Sequence, residues 1–488
     1  MEKKEDYSYT LEDYRHDMPP RAFGSETEYT NDSDIERYIY QNNPGGVHDK
    51  ILPYVSPIWL VSPGRHTAPS AITKNGGELY LDYTVLEYST PECTTPQELT
   101  LHERAGEQII FDTMVRIGLS HGAAPKVYKR SGYVEVKQKN EPYPLLDEMS
   151  IGHHESYTSL NTFTNMSDTT REFEMQHSPE ARQLADFLAL RKLIDGVGMV
   201  AEDHFSITQK PRSINYKAFE RDVGRTGKRP FRQNTSRLEV RSGEGNKSDW
   251  AATFKVGLTS MVLRLIEHGN YPSDYRLYDP NTTVLKIARD PLAHVQLESG
   301  VTMKAVDILK GIVDAAYELG QQYDSFPQYE QQAYSDFLEF YDDVHKISLQ
   351  DHDVSALSDR IDWAARFKFF VDYGATYDTF GTDNLEQVRY DLLWDRIGDK
   401  DIARKRFAKF GHTALTIEVP SAPQTRAKTR VQIAQELYDN NNLYDVDWDR
   451  VSTIDGYEYV SNHPLNKTME RKRTADYNLN FPNRWHRQ

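Results

Sequence analysis

Three short stretches set acidic side chains at every second position: Glu26 and Glu28 in AFGSETEYT (residues 22–30), Glu78, Tyr80 and Asp82 in GGELYLDYTVLEYSTPE (residues 76–92), and Glu239 between Arg237 and Arg241 in RLEVR (residues 237–241). A period of two is that of a half-buried strand, so each stretch has one apolar and one charged face. Taken singly, a Glu-x-Glu pair reads as the solvated face of an edge strand. Three of them on one sheet repel each other, increasingly as water is excluded, unless cations neutralise them. A divalent metal with bound phosphate is the usual solution. The segment IGHHESYT (residues 151–158) adds His154 and Ser156 on one face. An isolated histidine is more often a structural hydrogen bonder than a ligand.

Bulk properties narrow the partners. A chain of 488 residues exceeds the usual size of a single core, which predicts one large domain and a smaller one. The 31 tyrosines and 11% aromatic content exclude a disordered chain, although 38% hydrophobic residues is on the polar side for a globular one. A net charge of -16 argues against a nucleic-acid binder, so any phosphate ligand needs a local site. Cys93 is the only cysteine, which excludes an internal disulfide or a cysteine-based zinc cluster and suits a reducing compartment. No apolar run resembles a signal peptide or a membrane span, so the expectation is a soluble, cytoplasmic protein with no nucleic-acid or membrane partner.

Along the chain, residues 1–20 read as a flexible extension ending in Pro19 and Pro20, residues 21–419 as the main domain, and residues 420–488 as a small C-terminal domain after a Pro420–Pro423 linker. The breaker-rich residues 30–75 predict a connection with little regular structure. Thr95-Pro96 and Ser178-Pro179 each pair an N-cap with a first-turn proline and open helices that run to Gly118 and Gly196. A strand is predicted over 203–208, a helix from Asp249 to Gly269, and further helices over 302–323, 328–348, 359–373 and 385–411. Residues 210–232 hold the densest cationic run, a solvated loop or a supplier of phosphate contacts. The loop Ser242-Gly243-Glu244-Gly245-Asn246-Lys247-Ser248 between a strand and a helix is a layout that can cradle phosphate on backbone N–H groups, but it lacks the P-loop pattern.

The order of segments resembles the Pup ligase and Pup deamidase/depupylase family, relatives of glutamine synthetase and glutamate-cysteine ligase. The matching pieces are GSETEY (24–29), NGGELYLD and LEYSTPE (within 75–92), GHHESY (152–157), FSITQK (205–210), RLEVRSGEGNKSD (237–249), KVGLTSMVLRLIE (255–267), IDWAARFKFF (361–370) and PQTRAKTR (423–430). The resemblance implies an α+β fold, a glutamine synthetase-like curved antiparallel β-sheet packed by helices, with a small C-terminal domain. It implies ATP and Mg2+ as cofactors. Carried over by position, Asp82 is the catalytic residue, and Glu26, Glu87, His154 and Glu239 are metal ligands. Glu28, Tyr80, Ser156, Arg241, Arg430 and Trp448 are then ATP-binding, with Trp448 stacking on adenine. Glu239 stands where the family usually has histidine, but a glutamate in an "EVR" strand resembles the glutamate-cysteine ligases.

The implied activity is that of an ATP-dependent ligase which phosphorylates the C-terminal glutamate of a Pup-like protein modifier and joins it to lysines of target proteins. PQTRAKTR resembles the ligase, and residues 30–74 are too few for the long insertion of the depupylases. The spacing from Asp82 to Glu87, the missing histidine-proline before Glu87 and an insertion-like stretch at 131–149 depart from the ligase pattern. A depupylase or deamidase of the same fold, a small-molecule glutamate-amine ligase and a non-catalytic binder remain as alternatives.

Overall fold

The fold is described for residues 17–31, 60–62, 70–82, 85–120, 126–131, 152–160, 178–210, 219–222, 235–376, 379–414, 417–461 and 463–473 of a computed structural model. The strands β1 (Phe23–Asn31), β2 (Leu60–Ser62), β3 (Ser70–Ile72), β4 (Glu78–Asp82) and β5 (Val85–Ser89) precede helix α1 (Pro96–Ser120). Then come β6 (Val127–Tyr128), β7 (His153–Leu160), α2 (Pro179–Asp195), β8 (Met199–Val200), β9 (Phe205–Ser206), β10 (Phe219–Asp222), β11 (Thr235–Val240) and α3 (Asp249–Glu267). The helical region consists of α4 (Pro280–Arg289), the hairpin β12 (His294–Gln296) and β13 (Thr302–Lys304), α5 (Ala305–Gly320), α6 (Gln328–Val344), α7 (Asp362–Asp372), α8 (Leu385–Asp395) and α9 (Ile402–Ala408). The C-terminal module is α10 (Arg426–Asp439) with β14 (Leu443–Asp447), β15 (Arg450–Thr453), β16 (Tyr457–Val460) and β17 (Glu470–Arg473). This is an α+β fold, as the resemblance implied.

The main sheet runs β10-β11-β7-β1-β5-β4-β3-β2, with β6 paired to β1. All its pairings are antiparallel. One face is apolar. Phe23, Tyr157, Leu238 and Val240 join α2 and α3 in the largest core cluster, while Tyr29, Leu86 and Tyr88 pack on Ile109, Ile110 and Met114 of α1. Helix α1 lies close to β5 because Gly106 has no Cβ, which would collide with the Tyr88 ring.

The predicted helix starts are found where the capping residues stand. Thr95 Oγ1 accepts from Glu98 N at 3.1 Å, Ser178 Oγ from Ala181 N at 3.0 Å, and Ser248 Oγ from Ala251 N at 3.3 Å. Other expectations need correction. The 76–92 stretch is a hairpin of two strands, residues 30–75 contain β2 and β3, and the strand predicted over 203–208 is only Phe205–Ser206. The helix predicted over 385–411 is broken between α8 and α9, where Gly398 takes φ 88°, a left-handed conformation open to glycine. The extension up to residue 16, the insertion-like residues 132–149 and the cationic residues 211–218 and 223–234 lie outside the described residues. No helix among the described residues is long and apolar enough to cross a membrane.

The C-terminal module packs against the far end of the sheet. Its core of Ala434, Leu437, Val446 and Val451 includes Ile72 of β3. Arg430, fully buried, bonds both Glu92 oxygens at 3.0 and 3.1 Å, the Gly76 carbonyl at 2.9 Å and the Trp448 carbonyl at 2.6 Å. Arg426 adds a bond to Glu92 at 2.7 Å.

Candidate active site

Residues directly opposite in an antiparallel sheet point to the same face. The register therefore gathers the acidic stretches, far apart in sequence, onto the face away from the helices. His154 and Ser89 flank Glu26, and Ser89 faces Glu78. Glu87 lies between Glu28 and Tyr80 in the next row. Ser156 faces Glu239, and Glu239 faces position 220 on β10. Asp82 pairs with Val85 at the end of the hairpin where β4 and β5 are joined, about 13 Å along the strand from the Glu78 row.

Within this face Glu26, His154 and Glu239 offer ligand atoms that all lie within 4.8 Å of one another. His154 Nδ1 is 3.6 Å from Glu26 Oε2 and 3.5 Å from Glu239 Oε1. Gly152 makes room for the imidazole: a Cβ there would overlap His154 Nε2. Its N–H also donates to Glu28 Oε2, which fixes that carboxylate. Two carboxylates and one imidazole form a donor set for a hard divalent cation that completes its shell with water or phosphate oxygens.

Arginines supply the countercharge. Arg237 bonds Glu26 at 2.6 Å and Ser156 Oγ at 2.9 Å and reaches Glu239 at 3.4 Å; Arg241 Nε bonds Glu239 at 3.0 Å. Burial pushes the Glu26 carboxyl upward, but Arg237 and His154 prevail and hold it well below the usual range. Tyr80, 3.2 Å from Ser89 Oγ, is held far above its ordinary value by burial and by the charges of Glu26 and Glu87, so its hydroxyl stays protonated. Burial and the nearby Lys192 lower Lys210 to about 8, against the pull of Glu244 and Glu28.

Of the residues expected at a metal, three form the group, while Glu87 stands one row along with Glu28 and Tyr80. Arg241 and Ser156 border the group. The structure shows Arg430 buried against Glu92, with its guanidinium 4.8 Å from the centre of the Trp448 ring. Arg237 was the residue missed. Its signal was its place two residues before Glu239, on the same strand face.

The phosphate-cradling reading of the 242–248 loop is overturned. The loop is buried, and the N–H groups of its second half are engaged within the protein: Gly245 with Ser131 Oγ at 2.9 Å, Asn246 with the Glu244 carbonyl at 3.1 Å, Lys247 with Asp362 at 2.6 Å and Ser248 with Asp362 at 3.4 Å. Glycine here allows close packing. A Cβ at Gly243 would press on the Glu155 carboxylate, and one at Gly245 on Lys129.

The sequence profile of the Pup-ligase protein family matches residues 2–452. The chain belongs to this family. The Pup–protein ligase of Geodermatophilus obscurus is 24% identical over 474 residues, covering 88% of this chain and 93% of the relative. The Pup deamidase/depupylase of Mycolicibacterium smegmatis is 28% identical over 317 residues, covering 62% of this chain and 57% of that protein. Among solved structures, the complex of Pup with its ligase PafA matches with a TM-score of 0.70 at 21% identity, covering 94% of this chain and 92% of that one. PafA in complex with ADP matches with a TM-score of 0.65 at 21% identity, covering 89% and 91%. The Pup-ligase family member described here thus shares the PafA fold, and β16 and β17 lie beyond the family-matched residues.

Proposed function

We propose that this chain is an ATP-dependent ligase that phosphorylates the C-terminal glutamate of a Pup-like modifier and joins it to target lysines through an isopeptide bond. The observation that carries the reading is the convergence of Glu26, His154 and Glu239, with Arg237 and Arg241, on one open sheet face of a Pup-ligase family chain. The ligase relative aligned over 93% of its own length and the ADP complex of PafA support it.

A carboxylate is a poor electrophile. Transfer of the γ-phosphoryl group of ATP to the modifier's carboxylate releases ADP and gives an acyl phosphate, in which inorganic phosphate becomes the leaving group. Glu26, His154 and Glu239 would hold Mg2+, which would supply neutralisation of phosphate charge. Arg237 and Arg241 sit beside the same carboxylates, where their guanidinium groups can turn to phosphate oxygens and stabilise charge that develops in transfer. Glu28, held by Gly152 N–H, and Tyr80, held protonated, border the path between that group and Asp82. Asp82 takes a proton from the incoming lysine ammonium; the free amine attacks the acyl carbon and phosphate departs. General-base help of this kind contributes about 10²–10⁴ in rate. The work belongs in the cytoplasm, where ATP and target proteins meet.

A second reading, hydrolytic removal of the modifier with Asp82 acting on water, is favoured by the higher local identity of the depupylase relative. One assay separates the two. The protein is incubated with ATP, Mg2+, a lysine-bearing target and a modifier ending in Glu or in Gln, alongside a preformed conjugate. The ligase reading expects conjugates from the Glu form alone. Cleavage of the conjugate with no synthesis from separate parts would establish the hydrolase instead.

A further inference from the structure

The loop between β11 and α3 is gripped by four lysines, each donating to a different carbonyl. Lys210 Nζ bonds the Arg241 carbonyl at 2.9 Å, Lys192 bonds that of Ser242, Lys255 that of Glu244 at 2.6 Å and Lys129 that of Asn246 at 3.0 Å. All four are buried. Four ammonium groups cannot be withdrawn from water without countercharge. Three of them find it in the core: Lys192 in Glu244 at 3.0 Å, Lys255 in Glu155 at 3.4 Å and Lys129 in Glu107 at 2.7 Å. Lys210 is drawn by Glu244 and Asp195 in the core and, in addition, by Glu28 on the open face.

Its place in the chain fits a link between loop and face. The carbonyl that it holds belongs to Arg241, whose side chain bonds Glu239, and Glu239 meets His154. Lys210 is itself fixed from below. Its N–H donates to Thr208 Oγ1 at 3.1 Å, Thr208 donates to Glu244, and Gln209 N–H donates to Glu244 at 3.0 Å.

We propose that Lys210 is a positioning residue for the metal-holding group: by tying the Arg241 carbonyl just past the end of β11, it holds Glu239 within reach of His154 and Glu26. The proposal rests on the reading of that group as a cation site. Groups that orient first-sphere ligands without touching the ion typically change its affinity by about 10–100-fold when removed.

The test is Mn2+ binding in the full chain, read by electron paramagnetic resonance of free Mn2+ and set beside the melting temperature. Lys210→Met is expected to raise the Mn2+ Kd by about tenfold or more, and Lys210→Arg, which keeps charge and donor, to stay within about threefold of wild type. Lys129→Met is the comparison, because Lys129 grips the same loop from the Glu107 side. It is expected to lower the melting temperature at least as much as Lys210→Met, while the folded protein retains wild-type Mn2+ affinity. Should Lys210→Met fail to fold, Lys210→Gln is measured in its place with the same expectation. Wild-type affinity in the neutral Lys210 variant overturns the proposal alone. So does a loss that Lys129→Met matches, since that marks a general structural effect. If wild-type protein itself binds no Mn2+, the cation reading of the site falls and the proposal with it.

Discussion

Glu26 keeps its charge in a half-buried position because Arg237 and His154 outweigh the loss of water, and Gly152 decides whether His154 can stand where it does. A methyl group at position 152 would meet His154 Nε2 and turn the ring away from both carboxylates. Gly152→Ala is therefore expected to weaken Mn2+ binding by about tenfold or more while the chain still folds. Titration of Mn2+ into the variant checks this, and wild-type affinity would mean that the imidazole is not part of the group. Much of this was legible beforehand. The alternation of Glu26 with Glu28 and of Arg237 with Glu239 and Arg241 marks faces, since the side-chain period of a strand is two. The bond from Arg237 to Glu26 was not legible, because it spans strands 211 residues apart whose neighbourhood is set by the intervening β7.

Helix α1 shows how one element carries a pH dependence. His102 on its first turns is buried, 3.3 Å from Asn75 Nδ2, and burial lowers the imidazole to about 4. The unfolded chain binds this proton near pH 6.5 and the folded protein only near 4, so between those values the unfolded state holds more protons. Stability accordingly falls as the pH drops from 6.5 towards 4, and this contribution levels off below that. The shift corresponds to about 3 kcal/mol. Urea unfolding of wild type and His102→Gln at pH 7 and at pH 4 should show the variant losing less by roughly that amount. Equal losses would remove His102 as the cause. Helix starts such as Thr95-Pro96 and Ser178-Pro179 could be read in sequence because capping is local. The break at Gly398 was not, although Trp394 and Phe407 would stand about 140° apart around one continuous helix and come together in the same small cluster only because the chain turns between them. Strand β17, reading ERKR with every side chain exposed, has no apolar alternation to announce it.

For the molecule as a whole, the C-terminal module and the sheet meet at Glu92, only five residues beyond Glu87. Burial raises the Glu92 carboxyl, but Arg430 and Arg426 bring it down from 4.5 to about 2. The contribution of these pairs is complete above pH 4.5 and is lost as the pH falls towards 2, so acid should release the module. Removing one partner of such a buried pair costs about 3–5 kcal/mol. Arg430→Met is thus expected to loosen the module and to speed protease cleavage within residues 417–425; an unchanged digestion rate would show that Glu92 does not anchor it. The fold class was legible through the ordered set of motifs from GSETEY to PQTRAKTR. The sharing of Ile72 between β3 and the module core was not, because it depends on how two units pack.

Whether this face builds isopeptide bonds with Asp82 as the base is read most directly from conjugate and ADP formation by wild type and Asp82→Asn under saturating ATP and Mg2+. Wild type is expected to form one ADP per isopeptide bond. Asp82→Asn is expected to bind ATP undiminished with conjugation reduced by about 10²-fold or more, since the amide keeps the shape but cannot accept the lysine proton. Full conjugating activity in Asp82→Asn, or a wild-type protein that only cleaves preformed conjugates, would contradict this reading.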